Sequence, residues 1–190
     1  MPKLSRDFYE RPTLTVAREI LGNIFVFRNK TRMKGRIVEA EAYIGQDDPA
    51  CHARFGPTER NKVMFGPGGY TYIYFIYGMY NMLNFVTENE GFPAACLIRA
   101  MEPLDGLSVM HKNRNTDKVE NLTSGPGKLC TAFGLTTGHS GIDMTGDIIY
   151  LEDDGFKPGN IVSAERVGIS DGRDKKWRFY IKGNKFVSKR

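Results

Sequence analysis

Apolar and polar residues alternate most regularly between Arg36 and Val86, and the other elements can be laid out around that stretch. In Arg36-Ile-Val-Glu-Ala-Glu-Ala-Tyr43 a period of two puts Ile37, Glu39, Glu41 and Tyr43 on one face. Val38, Ala40 and Ala42 fall on the other, which predicts a strand whose alanine face is core. A second run carries Tyr70, Tyr72 and Tyr74 on one side and Thr71, Ile73, Phe75 and Tyr77 on the other. Gly78-Met79 predicts a two-residue type II′ turn, and residues 80–86 the return strand of a hairpin. In that register Tyr77 and Tyr80 flank the tip, and Asn84 lies on the Tyr77 face, away from Tyr74. Tyr70 and Phe75 are expected to be covered, Tyr77 to meet water or a partner.

Upstream, Pro12 suits the first position of a helix over residues 13–21, with Leu14, Ala17, Ile20 and Leu21 as its apolar stripe and Gly22 as its stop. Residues 23–28 read as a strand and 29–34 as a basic turn. Residues 45–62 have little periodicity and many polar groups, the character of a functional loop. Downstream, residues 94–101 read as a strand with Arg99 set among Leu97, Ile98 and Ala100. An arginine so placed needs a buried anionic partner or a cleft. Residues 103–113 have helical spacing through Leu104, Leu107 and Met110. Ser124-Gly-Pro-Gly-Lys128 opens a second helix, with Leu129, Ala132 and Phe133 inside and Gly134 as its stop. That start is either a phosphate seat or a plain Gly/Pro helix start; it is not a Walker A loop. Residues 147–152, 160–168 and 177–182 read as strands. Helices and strands do not alternate, so the expected class is α+β rather than a doubly wound sheet.

With 190 residues, 41% of them hydrophobic and 26% charged, the chain is expected to form a single domain over residues 1–190. No apolar run approaches a membrane span, and no signal-peptide segment follows the opening Met-Pro-Lys-Leu. A cytoplasmic protein is expected, nucleoid-associated if bacterial. Three widely spaced cysteines predict free thiols, and Cys51-His52 supplies too few ligands for a metal, so none is expected. The net charge of +5 favours an anionic partner over a cationic substrate.

Glutamates are depleted in strands, so Glu39 and Glu41 on one face beside Tyr43 are either a solvated edge or a reacting group. The polar loop that follows, with Asp47-Asp48, Cys51-His52-Ala-Arg54 and Arg60-Asn-Lys62, favours chemistry.

Several strings in order along the chain then coincide with one family. They are Phe8-Tyr-x-Arg-Pro-Thr-Leu14, Val16-Ala-Arg-Glu-Ile-Leu-Gly22, Val38-Glu-Ala-Glu-Ala-Tyr43, Tyr74-Phe-Ile-Tyr-Gly-Met-Tyr80, Leu97-Ile-Arg-Ala100, Ser124-Gly-Pro-Gly-Lys-Leu129 and Arg178-Phe-Tyr180. Together, from about residue 8 to 188, they resemble the alkyladenine (3-methylpurine) DNA glycosylases. The resemblance implies a compact α+β domain with a curved, mainly antiparallel sheet, a protruding hairpin and peripheral helices. It implies a monomeric, monofunctional enzyme, without metal or cofactor, that excises damaged purines from double-stranded DNA. Carried over by motif, Glu41 is similar to the general base, with Arg99 and the carbonyl of Val167 holding its water. Tyr43, His52 and Tyr74 resemble the walls around the flipped base, the backbone near Ala50 and His52 the reader of its edge, and Asn84 the screen against guanine. Tyr77 resembles the wedge that fills the emptied stack. From their places in loops or at a helix start, Arg54, Arg60, Lys62 and Lys128 are the candidate phosphate contacts.

Such a site suits the chemistry. A base must leave the helix before its glycosidic bond can be reached. Aromatic faces favour a cationic alkylated ring by ~0.5–2 kcal/mol each. Two other classes stay open from the residues alone. A sugar O-glycosidase would use Glu39 and Glu41, roughly 7 Å apart. A non-catalytic nucleic-acid module would use only the aromatic ribbon and the basic balance.

Overall fold

The computed structural model describes residues 1–189. Its elements are α1 (Arg6–Tyr9), α2 (Thr13–Glu19), β1 (Ile24–Arg28), β2 (Arg32–Ile44), β3 (Thr71–Ile76), β4 (Tyr80–Val86), β5 (Ala94–Asp105), α3 (Leu107–Arg114), α4 (Pro126–Phe133), β6 (Ile149–Glu152), β7 (Ile161–Ala164) and β8 (Arg178–Ile181). The strands form one antiparallel sheet in the order β3-β4-β5-β2-β1-β6, with β8 joining β2 and β7 pairing β8. Helices α2 and α4 pack against it, giving the α+β class expected.

The long strand β2 organises the sheet. One edge pairs β5 along nearly its whole length. The other edge is shared: β1 takes residues 32–36, and β8 takes over at Glu39–Glu41. The sheet therefore branches where the two glutamates sit. At the branch the register with β5 breaks twice. Ile37 pairs Met101 and Glu39 pairs Ala100, which leaves Val38 as an extra residue on β2. Ala40 then pairs Ile98, which leaves Arg99 as an extra residue on β5. Paired bulges re-aim side chains without shifting the rest of the ladder. Here they bury Ile37 in the same core as Val38, Ala40 and Ala42, although simple alternation sets Ile37 with the glutamates.

Four other expectations need correction. The hairpin turn is centred one residue earlier than expected: Met79 N–H donates to Ile76 O across Tyr77 and Gly78, both at positive φ (55° and 66°). This is the pattern of a type I′ rather than a type II′ turn. Ile76 pairs Tyr80, so three residues rather than two connect the strands, and this odd loop flips the return strand: Asn84 pairs Tyr72 and shares the Tyr74 face. Helix α2 turns Thr13, Val16 and Ala17 inward and leaves Leu14 exposed, because Glu88 Oε1 accepts both the N–H and the hydroxyl of Thr13. Pro12 is its N-cap rather than its first residue. Leu104 belongs to β5 and is exposed; α3 begins only at Leu107, past Gly106 at φ 79°. Phe75 is 49% exposed, not covered. By contrast, α4 starts and stops as its Gly/Pro opening and Gly134 predict.

Candidate active site

Glu39 and Glu41 are both fully buried, so the solvated-edge reading fails for each. Arg99, the extra residue of β5, reaches both: its Nε donates to Glu39 Oε1 at 3.1 Å and its Nη1 to Glu41 Oε2 at 3.2 Å. Glu41 accepts two further hydrogen bonds, from Tyr43 OH to Oε2 at 2.9 Å and from the Val167 N–H to Oε1 at 2.7 Å. Val167 thus meets Glu41 through its amide, while its carbonyl is the group that the resemblance assigns to the water. That amide is free because β7 ends at Ala164 instead of running to Gly168.

Burial pushes the Glu41 carboxyl above the usual carboxylate range, and the Glu39 charge adds to the rise. Arg99, the Val167 amide and Tyr43 oppose it. Burial, with the Glu41 charge, also drives the Tyr43 phenol far up, so Tyr43 remains a donor. The result is a carboxylate held in place but short of full stabilisation, the state a general base needs.

In front of Glu41 opens a cavity of about 260 Å³. Tyr43, Ala50, His52, Tyr74, Asn84, Arg99 and Val167 all line it, with Tyr77 at its margin. The His52 and Tyr74 rings meet edge to face at 4.4 Å, and His52 Nδ1 lies 3.0 Å from Tyr72 OH. Burial, then the nearby Arg60 charge, lowers the His52 pKa, so the imidazole is neutral at physiological pH and does not repel a cationic guest. Asn84 is buried, and its Nδ2 donates to the carbonyls of Tyr72 and Met82 at 3.1 Å each. Those bonds fix which way the amide faces. Tyr77 is 71% exposed and stands at φ 55°, a strained conformation for an aromatic residue.

Two locks hold the walls, and neither was expected. Arg166 grips Asp48 with both nitrogens (2.6 and 2.8 Å), donates to Ala42 O, and lies over the Tyr43 ring at 4.7 Å. It ties the loop after β2 to the Val167 segment. Burial alone would raise the Asp48 pKa, but the Arg166 bonds outweigh it and hold the carboxyl below its ordinary range. The second lock is Asn61, whose Nδ2 donates to His52 O and Gly56 O while its Oδ1 accepts from Thr58 N–H. The signal for a third arginine was available: Arg178 in Trp177-Arg-Phe-Tyr-Ile181 sits in an apolar strand, as Arg99 does.

The candidate phosphate contacts divide. Arg60 Nη2 donates to Phe75 O at 3.2 Å and its guanidinium lies 5.1 Å from the Tyr74 ring, so it is engaged with β3 from the surface. Lys62 pairs with Glu59 at the surface. Arg54 lies over the exposed Phe55 ring. Lys128 is half-buried in α4. The start of that helix also serves packing, since a Cβ on Gly127 would come within 2.6 Å of the Tyr80 ring. Among the described residues no group of three or more His, Cys, Asp or Glu could hold a metal ion, and no helix is long and apolar enough to cross a membrane.

Residues 7–185 match the family model of the methylpurine-DNA glycosylases (MPG). The chain is also similar to proteins that carry the name "Putative 3-methyladenine DNA glycosylase", three of which illustrate the range. The one from Methanocella arvoryzae is 49% identical over all of this chain and 98% of its own length. That from Alkaliphilus oremlandii is 45% identical over 99% and 100%, respectively. That from Chlorobaculum tepidum is 46% identical over 100% and 92%.

Proposed function

The chain belongs to the methylpurine-DNA glycosylase family and is a DNA glycosylase, and from that premise we propose how its own residues excise a base. A methylated or deaminated purine leaves the duplex and enters the cavity between Tyr43 and the His52–Tyr74 pair. Tyr77 takes its place in the stack. Glu41 receives a proton from a water molecule whose oxygen bonds to C1′ of the sugar. The N-glycosidic bond breaks and its electron pair stays with the purine. A cationic methylated base leaves neutral, and the ionised Glu41 stabilises the positive charge developing on the sugar.

The observation that carries this reading is the position of Glu41. It is fully buried behind an aromatic cavity, raised in pKa, and bonded to three residues of the cavity lining, Tyr43, Arg99 and Val167. Glu39 has a different setting. Its oxygens accept from Arg99, Arg178 and the Ser188 amide, and of these only Arg99 lines the cavity, whereas all three partners of Glu41 do. This disfavours an O-glycosidase with two working acids. Asn84 beside Tyr74 supports a screen against purines bearing a 2-amino group, since the register of β4 brings both into one wall.

The test compares Glu41→Gln with Glu39→Gln on duplex DNA holding one 3-methyladenine, with free base and DNA binding both measured. Glu41→Gln should keep binding and lose excision by ~10²–10⁴-fold or more, and Glu39→Gln should lose less. Equal losses would overturn the single-base mechanism, and no base release by the parent protein would leave only a binding module.

A further inference from the structure

Behind the site lies a buried charge cluster that the mechanism above does not use. Glu39 Oε1 accepts from Arg99 Nε at 3.1 Å and from Arg178 Nη1 at 3.0 Å, and Oε2 accepts from the Ser188 N–H at 2.6 Å. Arg178 is itself held by the carbonyls of Glu165 and Lys189 at 2.8 Å each. Arg99 Nη2 lies 3.4 Å from Ser188 Oγ. Glu39, Arg99 and Arg178 are 7% exposed or less, and in the sheet Arg178 is the register partner of Glu41. Two carboxylates and two guanidiniums are thus closed off together, with residues 186–189 laid over them.

We propose that Glu39 and Arg178 are positioning residues for catalysis: they aim Arg99 at Glu41, and their charges set the pH at which Glu41 becomes a working base. The proposal rests on the reading of Glu41 as that base. Glu39 takes the Nε side of Arg99, which leaves Nη1 turned toward Glu41. A guanidinium gripped on one edge by a fixed carboxylate has little freedom to swing. The groups facing Glu41 are Arg99 of β5, Tyr43 and Glu39 of β2, Tyr74 of β3, Arg178 of β8, and Arg166 with the Val167 amide from the segment after β7. Glu39 and Arg178 act on Glu41 with opposite signs. Removing the negative charge of Glu39 makes Glu41 easier to ionise, and removing the positive charge of Arg178 makes it harder.

Those opposite signs separate a positioning role from plain structural support. Single-turnover release of 3-methyladenine from duplex DNA is followed across pH; the fixed charge of that base means the acid limb reports the ionisation of the enzyme's base. Glu39→Gln should slow release about 10- to 100-fold and move the acid limb to lower pH. Arg178→Gln should also slow release but move the limb to higher pH. The charge-keeping changes Glu39→Asp and Arg178→Lys should leave the limb where the parent has it. Near-UV circular dichroism and thermal melts establish that each variant is folded at the assay temperature. If Glu39→Gln does not fold, the Arg178→Gln and Arg178→Lys pair decides alone. Acid limbs that coincide with the parent in the charge-removing variants, whatever the rate, overturn the proposal and leave the cluster as structural support. A Glu41→Gln variant that keeps both the rate and the acid limb would instead remove Glu41 as the base, a different failure with a different signature.

Discussion

At the scale of single residues, Glu41, as the base proposed above, trades stability for reactivity. Its folded pKa lies above the ordinary value, chiefly through burial. Folding therefore favours the protonated carboxyl. The stabilising contribution is complete below the ordinary glutamate pKa and is lost as pH rises through the raised folded value. At neutral pH the ionised side chain is a net cost to the fold. Glu41→Gln should thus raise the thermal midpoint at neutral pH, by about 2–4 °C for each kcal/mol relieved, and the gain should shrink in acid. Arg99 does not become an orphan in that variant, because Glu39 still accepts from it. A midpoint that falls at neutral pH would mean that the bonds from Arg99, Tyr43 and Val167 outweigh burial. Asp48 runs the other way. Its pKa is held low by Arg166, so its contribution is present above the ordinary aspartate pKa and is lost as pH falls through the depressed value. Asp48→Asn leaves a buried guanidinium without its counter-charge and should cost about 3–5 kcal/mol, read by denaturant titration at neutral pH. The deficit should narrow in strong acid, where the parent loses the same charge.

At the scale of elements, the β3–β4 hairpin and the β2–β5 bulges do the positioning. Tyr77 stands outside the sheet on a turn whose two central residues both have positive φ. As the wedge proposed above, such a tip would carry a rigid ring into the DNA with little side-chain entropy to lose, and the strain it stores belongs to the turn rather than the core. Tyr77→Ala should leave the thermal midpoint nearly unchanged, since the ring is mostly exposed. It should lower excision from a well-paired duplex and spare excision of a mispaired base, because a wedge offsets unstacking by only a few kcal/mol. A fluorescent base analogue beside the damage reports flipping directly. Equal flipping by variant and parent would remove Tyr77 from that role. The return strand rests on α4 through Tyr80 over Gly127, so the helix start braces the same tip.

At the scale of the whole molecule, a net charge of +5 faces a polyanion, and association should weaken as salt rises. Lys128 is the candidate whose role the fold leaves most sharply testable. As a phosphate contact, its replacement by alanine should flatten the slope of log affinity against log salt by about 0.9, with base preference unchanged. As a helix-start residue only, it should leave the slope alone. Arg60, engaged with Phe75 O and the Tyr74 ring, should instead alter excision more than the salt slope when replaced.

Sequence alone determined most of the local elements and their order, and drew attention to the charges set into apolar strands. Period-two runs marked β2 and β3, the turn after β3 marked β4, the Ser-Gly-Pro-Gly opening and Gly134 bounded α4, and Glu39, Glu41 and Arg99 stood out as charges in apolar strands. These follow from interactions between residues two to four apart, which the order of residues encodes directly. What the tertiary structure decided is register and partnership. The bulges at Val38 and Arg99 exist because β2 must part from β1 and accept β8 at the same place, a constraint spread over three strands. The one-residue slip that brings Asn84 beside Tyr74 needs Tyr77 at positive φ, which no local preference of tyrosine favours. The difference between the two glutamates is also non-local. It lies in Arg178, Ser188 and Val167, which reach β2 only after the chain has closed the sheet around them.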